Sequence, residues 1–389
     1  MSLKIVHLAT DAIAGMPFRL VKILQENTPF QVRLIETKHR DSYPQDLVFK
    51  DNIEVAIDLI NSADIIHLHN NLDLESSAFS PVDFSVLAEK GTRFVRQFHS
   101  EPSVLARKMN CSTAAILNDS LPSIVLGQFQ ERYYPEAMVV PNPIPVSDPD
   151  YMPFTGPLQT DILFSPSKKI SAWSDRWNTK GAPETAKLLK KMEKLYGCNT
   201  VVISGVPLER VLFEKQRSYI ILEEMITGSY HLSGLEGLSM GKPTLCYLDR
   251  RTEFIMRYLS GADTLPFINT MLEHSQEVIS YLLAQRDVGQ KIGTASRNWM
   301  EKYWSEKALV HHFQDMYIKL MDNPELVCRQ SELRIVDEVS KFRFITQPDL
   351  TYGSRQKNRY MTSLRIRIAN FFMLVKKKLK RKKKRFKEN

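Results

Sequence analysis

Through Val140 the chain alternates short, largely apolar runs with amphipathic stretches. The runs Lys4–Leu8, Val32–Glu36, Ile65–His69, Phe94–Phe98, Ala114–Leu117 and Met138–Val140 carry consecutive apolar positions, the signature of strands covered on both faces. Between them, Phe18–Gln25 and Ile53–Ile60 place apolar residues three and four apart, as a helix packed on a sheet requires. This order predicts a doubly wound parallel sheet. Pro141-Asn142-Pro143-Ile144-Pro145, then Asp148-Pro149-Asp150 and Met152-Pro153, suit neither helix nor central strand, so a domain boundary is expected there. The pattern then restarts, with strands over Asp161–Phe164, Thr200–Ile203, Tyr219–Leu222 and Thr244–Tyr247, and helices over Glu184–Leu195 and Leu235–Met240. The expectation is an α/β protein of two Rossmann-like domains, 1–150 and 151–325 (the latter with closing helices such as the stretch Trp299–Met321), facing each other across a cleft; an irregular linker follows over 326–360 and a basic amphipathic tail over 361–389.

With 389 residues, 43% apolar and 25% charged, the chain is long enough for two cores, which excludes a disordered, collagenous or disulfide-scaffold protein. Cys111, Cys198, Cys246 and Cys328 form no C-x-x-C pair and are expected as small buried residues rather than zinc ligands. Neither a spanning apolar run nor a signal-peptide pattern is present, and a cytoplasmic location is expected. The net charge of +9 is localised. Twelve Lys or Arg and one Glu fall between Met361 and Asn389, a local +11 that leaves −2 for the remainder. The basicity therefore speaks for the tail and not for the body.

In Gly228-Ser-Tyr-His-Leu-Ser-Gly-Leu-Glu-Gly-Leu-Ser-Met-Gly-Lys-Pro-Thr244 a small-residue loop runs into a short helix. Ser233 and Gly234 are expected at the helix start, where free N–H groups attract phosphate oxygens, and Glu236 on the first turn, where it can accept from a ribose diol or simply complement the helix dipole. Lys168, Lys169, Arg176 and Lys180 offer cations for a diphosphate. Gly15, after the first strand, lets a loop approach a ligand backbone-first. His99 follows the strand Phe94–Phe98, at the expected cleft; His67 and His69 share one strand face and are weaker candidates.

Leu235-Glu236-Gly-Leu-Ser-Met-Gly-Lys-Pro-Thr244, preceded by its Gly/Ser loop, resembles the donor-binding signature of GT-B glycosyltransferases, in particular the retaining family 4 type. Ala14-Gly15-Met16-Pro17, Asp64–His69, Phe98-His99 and Val140-Pro141-Asn142 extend the likeness to about residues 1 to 322. The resemblance implies that Glu236 binds the nucleotide ribose, that His99 contacts the transferred sugar, and that an Arg and a Lys neutralise the leaving diphosphate. Lys180 takes the second role, and the first stays open between Lys168 and Arg176. It also implies a nucleotide-diphosphate sugar as donor substrate; no cofactor and no essential metal are expected. The chain departs from the family at Gly228, eight positions before Glu236, where an acidic residue is frequent.

Two motifs mislead. Gly237-Leu-Ser-Met-Gly241 matches the hydrolase elbow, but its Ser falls inside a helix that precedes a strand. Asp148-Pro149-Asp150 matches a metal-binding D-x-D, but lies in the proline-rich break. The N-x-S/T matches at Asn110 and Asn118 need a secretory route. In the tail, Leu364, Ile368, Phe371, Phe372, Val375 and Leu379 form one apolar helical stripe beside the basic run that begins Lys376-Lys377-Lys378. Such a helix is expected to lie on an anionic membrane, and nucleic acid is the less favoured partner. The expected function is sugar transfer to a lipid-linked or glycan acceptor on the cytoplasmic face of a membrane. The rivals are a non-catalytic nucleotide-sugar or glycan-binding subunit and a nucleotide-sugar epimerase of the same fold.

Overall fold

A computed structural model describes residues 2–167, 171, 180–348 and 350. The first sheet contains seven strands, β1 (Lys4–Ala9), β2 (Gln31–Glu36), β3 (Leu47–Val48), β4 (Ile65–His69), β5 (Arg93–Phe98), β6 (Ser123–Leu126) and β7 (Met138–Val140). The second contains β8 (Thr160–Phe164), β9 (Thr200–Val202), β10 (Ser218–Leu222), β11 (Thr244–Cys246) and β12 (Ile268–Asn269). Their spatial orders are β3-β2-β1-β4-β5-β6-β7 and β12-β11-β10-β8-β9, and every pairing is parallel. In each sheet the order reverses beside the first strand, the topological switch that opens a crevice at the carboxyl ends.

The two faces of the first sheet bury different sets. Val6, Leu8, Ile66 and Leu68 belong to a core under the helix Ile53–Asn61. Ile5, Ala9, Ile65 and Val95 point the other way, into a core that continues through Leu126, Val140, Tyr230, Leu235 and Trp304 to the second sheet. Apolar packing thus runs continuously between the two sheets. The last long helix, Glu306–Asp322, contributes Phe313, Met316, Tyr317 and Leu320 to that shared core and so returns to the first sheet. Beyond it, Arg329 is buried with Glu131 and Arg251, Nη1 lying 2.8 Å from Glu131 Oε2, and ties the following segment to both units.

Local chemistry explains the element ends. The helix Met16–Asn27 begins after Gly15, whose φ of +75° is costly for any residue with a Cβ, and has Pro17 in its first turn, where no N–H is needed. It ends where Thr28 Oγ1 donates to the Leu24 carbonyl at 2.6 Å. The segment Ala114–Leu117, expected as a strand, is instead part of the helix Thr113–Leu117. Ser112 Oγ caps it by accepting the Ala115 N–H, and β6 takes the place in the sheet; a four-residue apolar run does not distinguish the two states. Two of the cysteines also depart from expectation, since Cys198 and Cys246 are buried but Cys111 and Cys328 are exposed. Among the described residues no helix is long and apolar enough to cross a membrane.

Candidate functional site

The crevice between the sheets holds a cavity of about 330 Å³, within the range of small-molecule sites. The first unit contributes Ala14, Arg19, Tyr43, His99, Gln128 and Asn142; the second contributes Ser165, Lys180, Lys215, His231, Ser233 and Glu236.

Glu236 lines the cavity from the second unit. The helix that carries it, Leu232–Ser239, starts after His231, so Glu236 is its fifth residue and not part of the first turn as expected. One turn further in, its carboxylate is buried and meets two cations. Oε1 accepts from Arg19 Nη2 at 3.1 Å and Oε2 from Lys215 Nζ at 2.5 Å. Burial would raise this carboxyl, but Lys215 and Arg19 overcome it and hold it below the usual carboxylate range. The same burial pushes the Lys215 ammonium down, with Glu236 opposing. Lys215 also donates to Ser233 Oγ at 2.8 Å, and Ser233 lies 2.9 Å from Ser165 Oγ. Ser233 is thereby fixed at the mouth of β8.

Lys180, expected to be a cleft cation, lines the cavity and pairs with Glu223, which directly follows β10 and is fully buried. Burial alone would raise Glu223, yet Lys180 and His231 hold it far below the usual range. Among the described residues four charged side chains line the cavity, three cations (Arg19, Lys180, Lys215) against the Glu236 carboxylate, with Glu223 behind Lys180. Arg19, Lys215 and Glu223 have no place among the residues picked from sequence. The available signals were a charge on the apolar side of a helix pattern, for Arg19 and Lys215, and an acid just past a strand's carboxyl end, for Glu223.

Other expected residues are placed less directly. Gly15 lines an adjoining cavity that shares Arg19 and Tyr43 with the first, and the Tyr43 ring covers it; a Cβ at Gly15 would lie 2.8 Å from Tyr43 Cδ1. Gly234 faces inward, where a Cβ would come within 2.6 Å of Glu223 Cγ and 2.9 Å of Phe267, so it permits close packing. Gly228 has φ +87°, and a Cβ there would meet Asp249 Cβ at 2.8 Å, which explains why no side chain sits at that position. Ser239 is buried and donates to the Tyr151 carbonyl at 2.9 Å, so the elbow-like motif is structural. Asp148 caps a helical turn and pairs with Lys22 at 2.8 Å. Lys168, Arg176 and the tail residues Phe371, Phe372, Lys376, Lys377 and Lys378 lie outside the described residues.

His99 reaches the cavity from the end of β5. Behind it stands a row of buried polar side chains on a sheet face that is otherwise apolar: His7, His67, His69 and Gln97. His69 Nδ1 lies 2.9 Å from His99 Nε2, His7 Nδ1 3.1 Å from His69 Nε2, and Tyr317 Oη 3.0 Å from His7 Nε2 and 2.7 Å from His67 Nδ1. Burial lowers all four imidazoles, with neighbouring rings adding to it at His7, His69 and His99 and a Gln97 hydrogen bond opposing it at His67; His67 and His99 fall to about 3, and each ring is neutral.

Comparison with solved structures places this arrangement. An α-glucosyltransferase solved with UDP and a 13-mer DNA containing an HMU base matches over 82% of this chain and 100% of its own, at TM-score 0.58 and 12% identity. The chain has the GT-B fold. A second GT-B match is HepE (Alr3699) of Anabaena in complex with UDP, over 82% of this chain and 100% of that one, at TM-score 0.52 and 10% identity. A third is a glycosyltransferase from Rickettsia africae, over 83% and 99%, at TM-score 0.50 and 14% identity. No family model matches the chain, and no curated protein does.

Proposed function

We propose that this GT-B protein is a glycosyltransferase that binds a nucleotide-diphosphate sugar in the cleft and transfers the sugar to a membrane-linked acceptor. The observation that carries this reading is the charge of the cavity: among the described residues Arg19, Lys180 and Lys215 line it against Glu236, with Glu223 behind Lys180, three cations to two carboxylates. An excess of fixed cations in a buried crevice suits a diphosphate and stabilises the charge that grows on it as the glycosidic bond breaks. Glu236 uses one acceptor site on each oxygen for Arg19 and Lys215, and a carboxylate has about four, so two remain for the hydroxyls of a ribose. Ile203, Val206, Leu208 and Val211 supply an apolar wall for the base. UDP is the first nucleotide to test, because two of the solved neighbours hold it.

In this reading the departing diphosphate is neutralised by Lys180 and Lys215, with Lys168 or Arg176 adding a further cation, and His99 meets a hydroxyl of the sugar or the acceptor. The protein cations serve where a metal would otherwise be required, so EDTA should leave transfer intact. Retention of anomeric configuration is proposed on the family resemblance. The first unit would receive the acceptor. The tail, with Phe371 and Phe372 on its apolar stripe and Lys376, Lys377 and Lys378 beside it, would hold the enzyme peripherally on an anionic cytoplasmic leaflet. The DNA bound by one neighbour raises a nucleic-acid acceptor as the rival, but a polyanion would not require the apolar stripe.

The test is incubation of the full chain with labelled UDP-sugars, with and without a total membrane lipid extract. Label moving into the lipid phase, undiminished by EDTA, is expected. Turnover of the donor without any acceptor would favour an epimerase or hydrolase. Binding without turnover would favour a non-catalytic subunit.

A further inference from the structure

We propose that Tyr317, acting through His7 and His69, fixes the tautomer of His99 so that Nδ1, on a ring that lines the cleft, is a bare hydrogen-bond acceptor. Tyr317 and the two rings are then positioning residues for His99. The proposal rests on the transferase reading only for what that nitrogen meets.

A neutral imidazole has one N–H and one lone pair, so in an unbroken file of such rings each bond sets the direction of the next. The file here runs from Tyr317 Oη through His7 and His69 to His99, with contacts of 3.0, 3.1 and 2.9 Å. Its direction is decided at the phenol, which has one proton and two nitrogen neighbours. O–H donors make shorter contacts than N–H donors. The 2.7 Å contact to His67 Nδ1 is therefore the one that Tyr317 donates, and the 3.0 Å contact is the one it accepts, from His7 Nε2–H. His7 Nδ1 then accepts from His69 Nε2–H, and His69 Nδ1 accepts from His99 Nε2–H. His99 Nδ1 is left with a lone pair, and it is buried without a partner in the protein. A bare nitrogen accepts from a hydroxyl and repels a phosphate oxygen. The ring lines the cavity but this nitrogen has almost no exposed surface, so a ligand that rearranges the cleft enough to reach it would meet it with a sugar or acceptor hydroxyl and not with a diphosphate oxygen.

Nitrogens of His7, His67 and His69 also lie within 4.8 Å of one another, close enough to hold a metal ion. The rings argue for the hydrogen-bonded file. His67 is stacked on His7 and on His69, with interplanar angles of 23° and 16°, and in-plane lone pairs of stacked rings run side by side instead of converging on one point.

The experiment is long-range ¹H–¹⁵N correlation on the full chain labelled with ¹⁵N-histidine at neutral pH, with His99 assigned by comparison with His99→Gln. The expected result is a His99 ring protonated at Nε2 with an unprotonated Nδ1. In Tyr317→Phe both His99 nitrogens should move toward the averaged shifts of mixed tautomers, while the melting profile shows that the variant is folded. A protonated Nδ1 on His99 in the parent would overturn the proposal, and that reading needs no variant to fold. Unchanged His99 shifts in a folded Tyr317→Phe would overturn the role of Tyr317. Loss of the His7, His67 and His69 signals at one equivalent of Zn²⁺ would make the row a metal site and overturn the proposal as well. None of these results depends on whether sugar is transferred.

Discussion

Arg19 and Glu236 are 217 positions apart in the chain, yet Arg19 Nη2 lies 3.1 Å from Glu236 Oε1, joining the first helix of one unit to the cleft helix of the other. Arg19 Nε is held in turn by Tyr151 Oη at 2.9 Å, and burial pushes that phenol up to about 12. The pair is therefore locked between the units and desolvated. Because Lys215 shares the carboxylate, the two sides are unequal. Glu236→Leu strands two buried cations and should cost about 3–5 kcal/mol, the usual penalty for breaking a buried pair. Arg19→Met leaves Glu236 with Lys215 and should cost clearly less. Urea unfolding of both variants checks the order, and equal losses would show that Lys215 does not neutralise Glu236.

Gly228 permits a second prediction. An acid restored at this position would need a Cβ 2.8 Å from Asp249 Cβ, on backbone at φ +87°. Gly228→Asp should lose about 1–3 kcal/mol from overpacking, with left-handed strain in addition, and should gain no nucleotide affinity. Tighter binding by this variant would mean that the loop can rearrange and that the missing acid limits the parent.

The imidazole row makes stability fall in mild acid. Below the ordinary imidazole pKa of about 6.5 the unfolded chain takes up protons at His7, His67, His69 and His99, while in the folded chain His67 and His99 do not until about pH 3, and burial holds His7 and His69 well below the ordinary value. Stability therefore decreases as pH falls through this window, by up to about 1.4 kcal/mol per pH unit for each ring. Glu224 acts in the opposite sense. Burial raises it to about 7, so its contribution is present at low pH and is lost as pH rises from its unfolded value to 7. Comparing the parent with His67→Gln cancels that term. The variant should show a shallower decline in urea stability between pH 6.5 and 4.5, and parallel declines would mean that His67 is not held neutral.

Much of the framework was legible because it rests on local pattern. Ile65–His69 and Met138–Val140 are strands with the expected bounds, since a parallel strand buried on both faces leaves a short run with apolar residues on both sides. Leu47–Val48 is too short to leave one. The cleft was legible as a place, through Lys180, Ser233, Glu236 and His99, but its pairings were not. Lys215 meets Glu236, and Tyr317 meets His7, only through tertiary packing, and no periodicity encodes a contact 310 positions long. Glu236 was placed one turn too early because His231, a poor capping residue by type, opens the helix in an extended conformation with no side-chain cap.

The central claim is that the cationic cleft binds a nucleoside diphosphate through Lys180 and Glu236. It is tested most directly by titration calorimetry of the full chain with UDP, repeated with GDP, ADP and CMP and with Lys180→Ala and Glu236→Ala. Thermal unfolding serves as the parallel readout, because ligand at a hundred times its dissociation constant adds about 2.7 kcal/mol of stability. One nucleotide diphosphate should bind the parent, and should bind each folded variant at least tenfold more weakly. Binding by none of the four, or binding that both variants retain in full, would contradict the account.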